Sequence, residues 1–293
     1  MPELRRGNPL HGNCRHPHVI MNRSVKKRGK TVTHKPGTIL EALYDRAVHL
    51  AEGKVVSDLR IGLGYVGART GDHSMGLAAL LFDSISPGCT VLRSAGSHAG
   101  SSATSLLTYL VEGKNPMERA MGLATANALI DPPREAIDDR EATSYLDFRA
   151  GERVVMIGLF SPLVERIRST GASLTIIEKN PERMEMMNED EQQNALRHCD
   201  VAVITATTLL NHTFEEIIHR LGKPRCTAVI GPSTPLLPEI FHDTPVTHLG
   251  GAVVTEPDRV MRIISEAGGT PAMRTALRFV NLTIKRNRPE YRS

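Results

Sequence analysis

The sequence contains no tryptophan and only eleven phenylalanines and tyrosines in 293 residues. That leaves few aromatic faces on which the bases of a nucleic acid could stack. Its four cysteines, Cys14, Cys89, Cys199 and Cys226, are widely separated and form no C-x-x-C pair. A disulfide framework and a thiolate zinc site are therefore not expected. No apolar stretch is long enough to span a membrane, and the basic amino terminus lacks the apolar run of a secretory signal. The expectation is a cytoplasmic protein with neither membrane nor nucleic acid as partner. Also missing are a G-x-S-x-G elbow, a P-loop and an H-E-x-x-H pair, so no reactive group announces itself.

Charge is unevenly spread. The chain carries net +4, yet residues 1–35 hold nine Lys and Arg against Glu3 alone, which leaves the remainder at net −4. The tail is charged and without apolar period, the pattern of a disordered segment. It contains His11, Cys14, His16 and His18, soft donors suited to zinc, copper or nickel, but with no fixed finger spacing.

Ordered structure is expected from Thr38, where T-I-L-E reads as a capping box. Ile39, Leu43, Ala47 and Leu50 then share a helical face that Gly53 terminates. Strand-like stretches follow near 55–66, 75–82 and 89–93. Two helices come next. One carries Leu106, Leu107, Leu110 and Val111; the other opens on Asn115, Pro116 and Glu118 and presents Met117, Met121, Ala124 and Ala128. The polar D-P-P-R-E segment from Asp131 reads as a linker. After it come five short apolar runs, at 154–158, 174–178, 201–205, 227–231 and 246–250, each followed by a helical stretch. Continuous Val/Ile runs alternating with helices imply a parallel sheet buried on both faces. A final helix is expected from Thr270, burying Met273, Leu277, Val280 and Ile284. The resulting division is a tail (1–35), an α+β domain (36–130), a linker (131–152) and a parallel-sheet α/β domain (153–293).

Ligands of open parallel sheets bind beyond the carboxyl ends of the strands. The first such loop is G-L-F-S-P, with Gly158, Phe160 and Ser161; Ser161 reads as the cap of the next helix. Only one glycine of G-x-G-x-x-G is present, so the dinucleotide fingerprint is incomplete. Glu178 ends the second strand, where Rossmann domains place an acid against ribose; the alternative is a solvated carboxylate in a polar turn. Thr207, Thr208 and Asn211 follow the third strand, with Thr213 and Glu216 read as a second capping box. The fourth strand runs into G-P-S-T-P with Ser233, and the fifth into Gly250. Asn127, in an apolar helix, needs hydrogen-bond partners in a ligand or in the chain near Asp131. His73 and His98 sit in glycine-containing loops and are the candidate metal ligands outside the tail.

G-L-F-S-P, E-K-N-P, T-A-T-T-L-L-N-H-T, G-P-S-T-P-L-L-P and the later L-G-G together resemble the heavy-metal-chelation family. A-N-A-L at 126–129 extends the resemblance into the first half, so that it covers about residues 36–285. It implies an α/β protein, an enolase-N-like α+β domain followed by a Rossmann-like parallel-sheet domain, with a ligand cleft between them. It also implies metal handling through a small molecule, a heavy-metal ion held by a chelator. An enzymatic alternative stays open: a transferase-like Rossmann protein with a nucleotide-like cofactor over Gly158 and Glu178. A homodimer is a further open expectation.

Overall fold

The structure is a computed structural model that describes residues 37–71, 74–85, 88–132, 145–182 and 184–284, all within one compact unit, Pro36–Ser293. Helix α1 (Ile39–Leu50) opens with the expected capping box: Thr38 Oγ1 accepts from the Glu41 amide, and Glu41 Oε2 accepts from the Thr38 amide. Its buried face is Ile39, Leu40, Leu43 and Ala47, whereas Leu50 is exposed.

Three antiparallel strands follow, β1 (Asp58–Ile61), β2 (Tyr65–Arg69) and β3 (Met75–Ala79), in that spatial order. The stretch 89–93, expected as a strand, is irregular. Its apolar run is short and Val91 is exposed, so no buried face rewards pairing. Helices α2 (Ala103–Leu107), α3 (Tyr109–Glu112) and α4 (Pro116–Leu129) complete the first half. Asn115 caps α4 by accepting from the Glu118 amide, but Glu118 reaches back to the Lys114 amide. α4 is buried almost all round because β3 lets it come close: a Cβ on Gly76 would lie 2.2 Å from the Ala124 carbonyl oxygen.

The second half is a six-stranded sheet in the order β5-β4-β6-β7-β8-β9. Its strands are β4 (Arg153–Ile157), β5 (Ser173–Ile177), β6 (Val201–Thr205), β7 (Cys226–Ile230), β8 (His248–Val254) and β9 (Leu277–Thr283). The first five pair in parallel and fall on the five apolar runs. Alternate residues face opposite sides. Val155 and Ile157 join a core that continues into α1 and α4, while Val154 and Met156 pack with Ile167 on the other face. Helix α5 (Ser161–Ser169) supplies Ile167, and α6 (Glu189–His198) and α8 (Phe214–Arg220) cover the opposite face through Leu196 and Phe214. A short α7 (Thr207–Leu210) precedes α8, and α9 (Pro257–Ser265) packs on β1 and β2.

Two expectations fail here. β7 leads into a loop and a 3₁₀ turn at Pro238–Phe241 instead of a crossover α-helix. The expected terminal helix is a single turn, α10 (Thr270–Met273), after which the chain becomes β9, antiparallel to β8 from Leu277↔Val254 to Thr283↔His248. Leu277, Val280 and Ile284 fit a helical period, but the open edge of β8 offers ladder hydrogen bonds along seven residues.

Polar contacts join the two halves. Arg119, 8% exposed, donates from Nε to the Leu210 carbonyl at 2.6 Å and from Nη1 to the Gly113 carbonyl at 2.9 Å. The Ile39 amide donates to Glu215 Oε1 at 2.9 Å.

Candidate functional site

In the second sheet β5 and β6 lie on opposite sides of β4. The chain leaves β4 in one direction and returns on the other, so the loops after β4 and β6 diverge and leave a crevice at their carboxyl ends. A cleft of about 1110 Å³ occupies that position. Gly158, Phe160, Glu178, Thr207, Thr208 and Asn211 all line it. Tyr65, Leu81 and Asp83 close it from the first half and Thr270 from α10.

The floor depends on Gly158. It has φ +82°, and a Cβ there would lie 2.8 Å from Thr205 Cγ2. The glycine therefore serves both a left-handed turn and a close pass between the two switch strands. Glu178 then ties the loops together: Oε2 accepts from the Leu159 amide at 3.0 Å, and Oε1 from the Lys179 and Asn180 amides at 2.8 and 3.1 Å. Its carboxylate shapes the backbone around the crevice. Thr205 and Thr207 share a hydroxyl–hydroxyl bond at 3.0 Å, and Thr208 donates to the Thr205 carbonyl at 2.7 Å. Asn211 Oδ1 accepts from the Thr213 hydroxyl and amide. Thr213 consequently makes no capping bond to α8, and the expected second capping box is absent.

The charges lining the cleft are mostly negative. Asp83, Glu178, Glu182, Glu189 and Glu216 face Lys179 and Arg220. Arg220 is itself paired with Glu216 at 2.6 Å and Glu189 at 3.1 Å. Across the mouth, Asn180 Nδ2 donates to Asp83 Oδ2 at 3.1 Å. Tyr65 shares a 2.6 Å hydroxyl bond with Thr270, and burial pushes its phenol pKa up despite that bond. Sequence reasoning passed over Tyr65, Asp83, Asn180, Arg220 and Thr270. Only Asn180 stands in a motif, E-K-N-P, that pointed to the site.

The remaining expected site residues lie elsewhere. Ser161 is the exposed first residue of α5, and Phe160 occupies the cap position with no side-chain bond. Gly250 is inside β8, with its carbonyl accepting from the Gly231 amide at 2.9 Å. Ser233 and Asn127 join the two halves. Ser233 Oγ accepts from the Ala79 amide at 2.7 Å, and Asn127 Nδ2 donates to the Leu77 and Ser233 carbonyls at 2.9 and 3.2 Å. The Asn127 amide thus serves β3 and the β7 loop instead of the chain at Asp131. His98 is 8% exposed, bonds Ser94 at 2.9 Å and stacks edge-on to Tyr109; burial lowers its pKa. His73 and the tail donors His11, Cys14, His16 and His18 fall outside the described residues. Among the described residues no group of three or more His, Cys, Asp or Glu is placed to hold a metal ion, and no helix is long and apolar enough to cross a membrane.

Two family models match the chain, at residues 44–130 and 141–283, and both are described as putative heavy-metal chelation. An uncharacterized protein of Methanocaldococcus jannaschii is 21% identical over 174 residues, covering 58% of this chain and 67% of that protein. A crystal structure of a protein of unknown function from Pyrococcus horikoshii superposes with TM-score 0.72 at 21% identity, covering 84% of this chain and 100% of that one. A second, from Desulfitobacterium hafniense, gives TM-score 0.69 at 21% identity, with coverage of 83% and 98%. Both belong to the family whose model matches residues 141–283. At this identity the likeness establishes the fold.

Proposed function

The chain belongs to this heavy-metal-chelation family through both of its halves, and from that premise we propose that the cleft at the β4–β6 switch binds a small metal-bearing molecule, a metal chelate or the precursor of one. The observation that carries the reading is the combination of an acidic lining with the lack, among the described residues, of a three-ligand set. An excess of carboxylates around a crevice attracts cations. Without converging His, Cys or carboxylate ligands, however, it does not strip a bare ion of its water. A metal that arrives already held by its own organic ligand satisfies both conditions. Its positive centre is drawn in by the field, and its organic part meets the hydroxyl of Thr207 and the amide of Asn211.

The same charge balance disfavours the transferase-like alternative. A nucleotide cofactor brings phosphates, which the cleft carboxylates repel, and the β4–α5 turn lacks the glycines that bring backbone amides against a pyrophosphate. Binding is favoured over catalysis because threonine hydroxyls and an asparagine amide are poor acids and bases near neutral pH.

Charge discrimination tests the reading. Calorimetry compares copper(II) held by neutral diethylenetriamine, a dicationic chelate, with copper(II)–EDTA, which is dianionic. The dicationic complex should bind about tenfold or more tightly, and weaken as salt is raised. Equal affinity, or preference for the anionic complex, would remove the basis for a metal-bearing ligand.

A further inference from the structure

Two side-chain amides line the switch-point cleft, those of Asn211 and Gln192, and each is held by the chain at one end alone. Asn211 directly follows α7, and its Oδ1 accepts from the Thr213 amide at 3.3 Å and from the Thr213 hydroxyl at 2.7 Å. A backbone amide only donates, so the atom facing it is the oxygen and the free end of Asn211 is the NH₂. Gln192, on α6, is turned the other way. Its Nε2 donates to the Met187 carbonyl at 2.7 Å, which leaves Oε1 as the free end. Both residues are half-buried; neither free end has a partner among the described residues, and neither is sealed from solvent. The cleft therefore offers a ligand one donor and one acceptor of fixed identity.

The donor is held at a local cost. His212, between Asn211 and Thr213, has φ +57°, a left-handed conformation uncommon outside glycine. Thr213 turns its hydroxyl to Asn211 and makes no capping bond to α8. Both costs fall in the turn that decides which end of the Asn211 amide is free.

Polar groups open to solvent bond to water until a ligand covers them. The ligand must then replace those bonds or leave the groups unpaired. Here it needs an acceptor for Asn211 and a donor for Gln192. A carboxylate is disfavoured as the acceptor, because carboxylates around the same space already outnumber Lys179 and Arg220. A hydroxyl both donates and accepts, but through one oxygen. A carboxamide does so from two separate atoms, and so serves groups on α6 and on the α7–α8 turn without drawing them to a single point. We propose that the ligand is a chelator of carboxamide type, bearing primary or peptide-like amides, with a carbonyl oxygen on Asn211 Nδ2 and an amide N–H on Gln192 Oε1. This rests on the reading of the cleft as the site of a metal-bearing molecule and adds the class of chelator that it takes.

Calorimetry on the full chain provides the test, with three dicationic copper(II) chelates as probes: copper(II) held by cyclen, by cyclen with four carbamoylmethyl arms, and by cyclen with four hydroxyethyl arms. The carbamoylmethyl complex should bind about tenfold or more tightly than either of the others. Asn211→Asp keeps the oxygen that accepts from Thr213 and removes the NH₂, so this advantage should be lost there, as it should in Gln192→Ala. The probes share one charge, so their affinity ratio is insensitive to the carboxylate that Asn211→Asp introduces. The proposal is overturned if the carbamoylmethyl complex fails to bind, if it binds no more tightly than the other two, or if its advantage persists in either variant. The metal is judged separately. If the copper-free carbamoylmethyl ligand binds as tightly as its complex and still depends on Asn211 and Gln192, the amide assignment stands and the metal-bearing reading falls. If the three dications bind alike, and more tightly than the dianionic copper(II) complex of cyclen with four carboxymethyl arms, the metal-bearing reading stands and the amide assignment falls.

Discussion

Gly158 passes so close to Thr205 that a Cβ on the glycine would lie 2.8 Å from the threonine Cγ2, in a backbone conformation of φ +82°. Two separate penalties therefore attach to Gly158→Ala, left-handed strain and overlap. Together they should cost about 2 kcal/mol or more of stability. Thr205→Ser removes only the overlapping methyl. The double variant should recover part of the loss but not the part due to φ, which chemical denaturation of all four proteins will show as a favourable coupling. Strict additivity would mean that the two strands do not meet as described.

Ser233 and Asn127 are expected to act on stability. Ser233→Ala leaves the Ala79 amide without its 2.7 Å partner inside the join between the halves, at a cost of about 1–3 kcal/mol. Affinity for a ligand in the switch-point cleft should change little. Denaturation and calorimetry on the same variant check both parts. Intact stability with affinity lost would return Ser233 to the ligand site.

These residues mark how far the sequence could be read. Five apolar runs of Val and Ile were enough to place β4 to β8 and, with them, the crevice holding Gly158, Glu178 and Thr207, because burial on both faces leaves a local signature. Leu277, Val280 and Ile284 carry an ambiguous period, and their strand assignment depends on the edge of β8, whose openness no local pattern shows. The Ser233–Ala79 bond spans 154 residues. A hydroxyl that holds a distant backbone amide looks the same in the sequence as one that meets a ligand. Tyr65 and Asp83 reach the cleft only through the packing of the first half on the second.

Acid should destabilise the protein before its carboxylates titrate. Burial lowers the pKa of His98, His212 and His248 below the ordinary 6.5, with Arg225 adding to the effect at His248 and Arg119 at His212, where Glu215 and Glu41 oppose it. A neutral imidazole favoured by the fold contributes stability above the unfolded value, and that contribution is lost as pH falls through the lowered folded value. Tm should therefore drop as pH is taken from about 7.5 to 5. His248 lies 2.8 Å from Thr247 Oγ1 and 3.5 Å from Cys226 Sγ. Its replacement in His248→Gln should flatten part of that slope. A Tm that is level across this range would show that the three imidazoles accept protons freely in the folded chain.

The central claim is that the switch-point cleft holds a metal within a small molecule. Native mass spectrometry with elemental analysis, on protein isolated without added metal, measures the bound mass and the metal together, in wild type and in Thr207→Ala. The account predicts a bound mass larger than a bare ion, one metal per organic ligand, and occupancy reduced about tenfold or more in Thr207→Ala. A stoichiometric bare ion with no organic mass, or occupancy unchanged in Thr207→Ala, would contradict it.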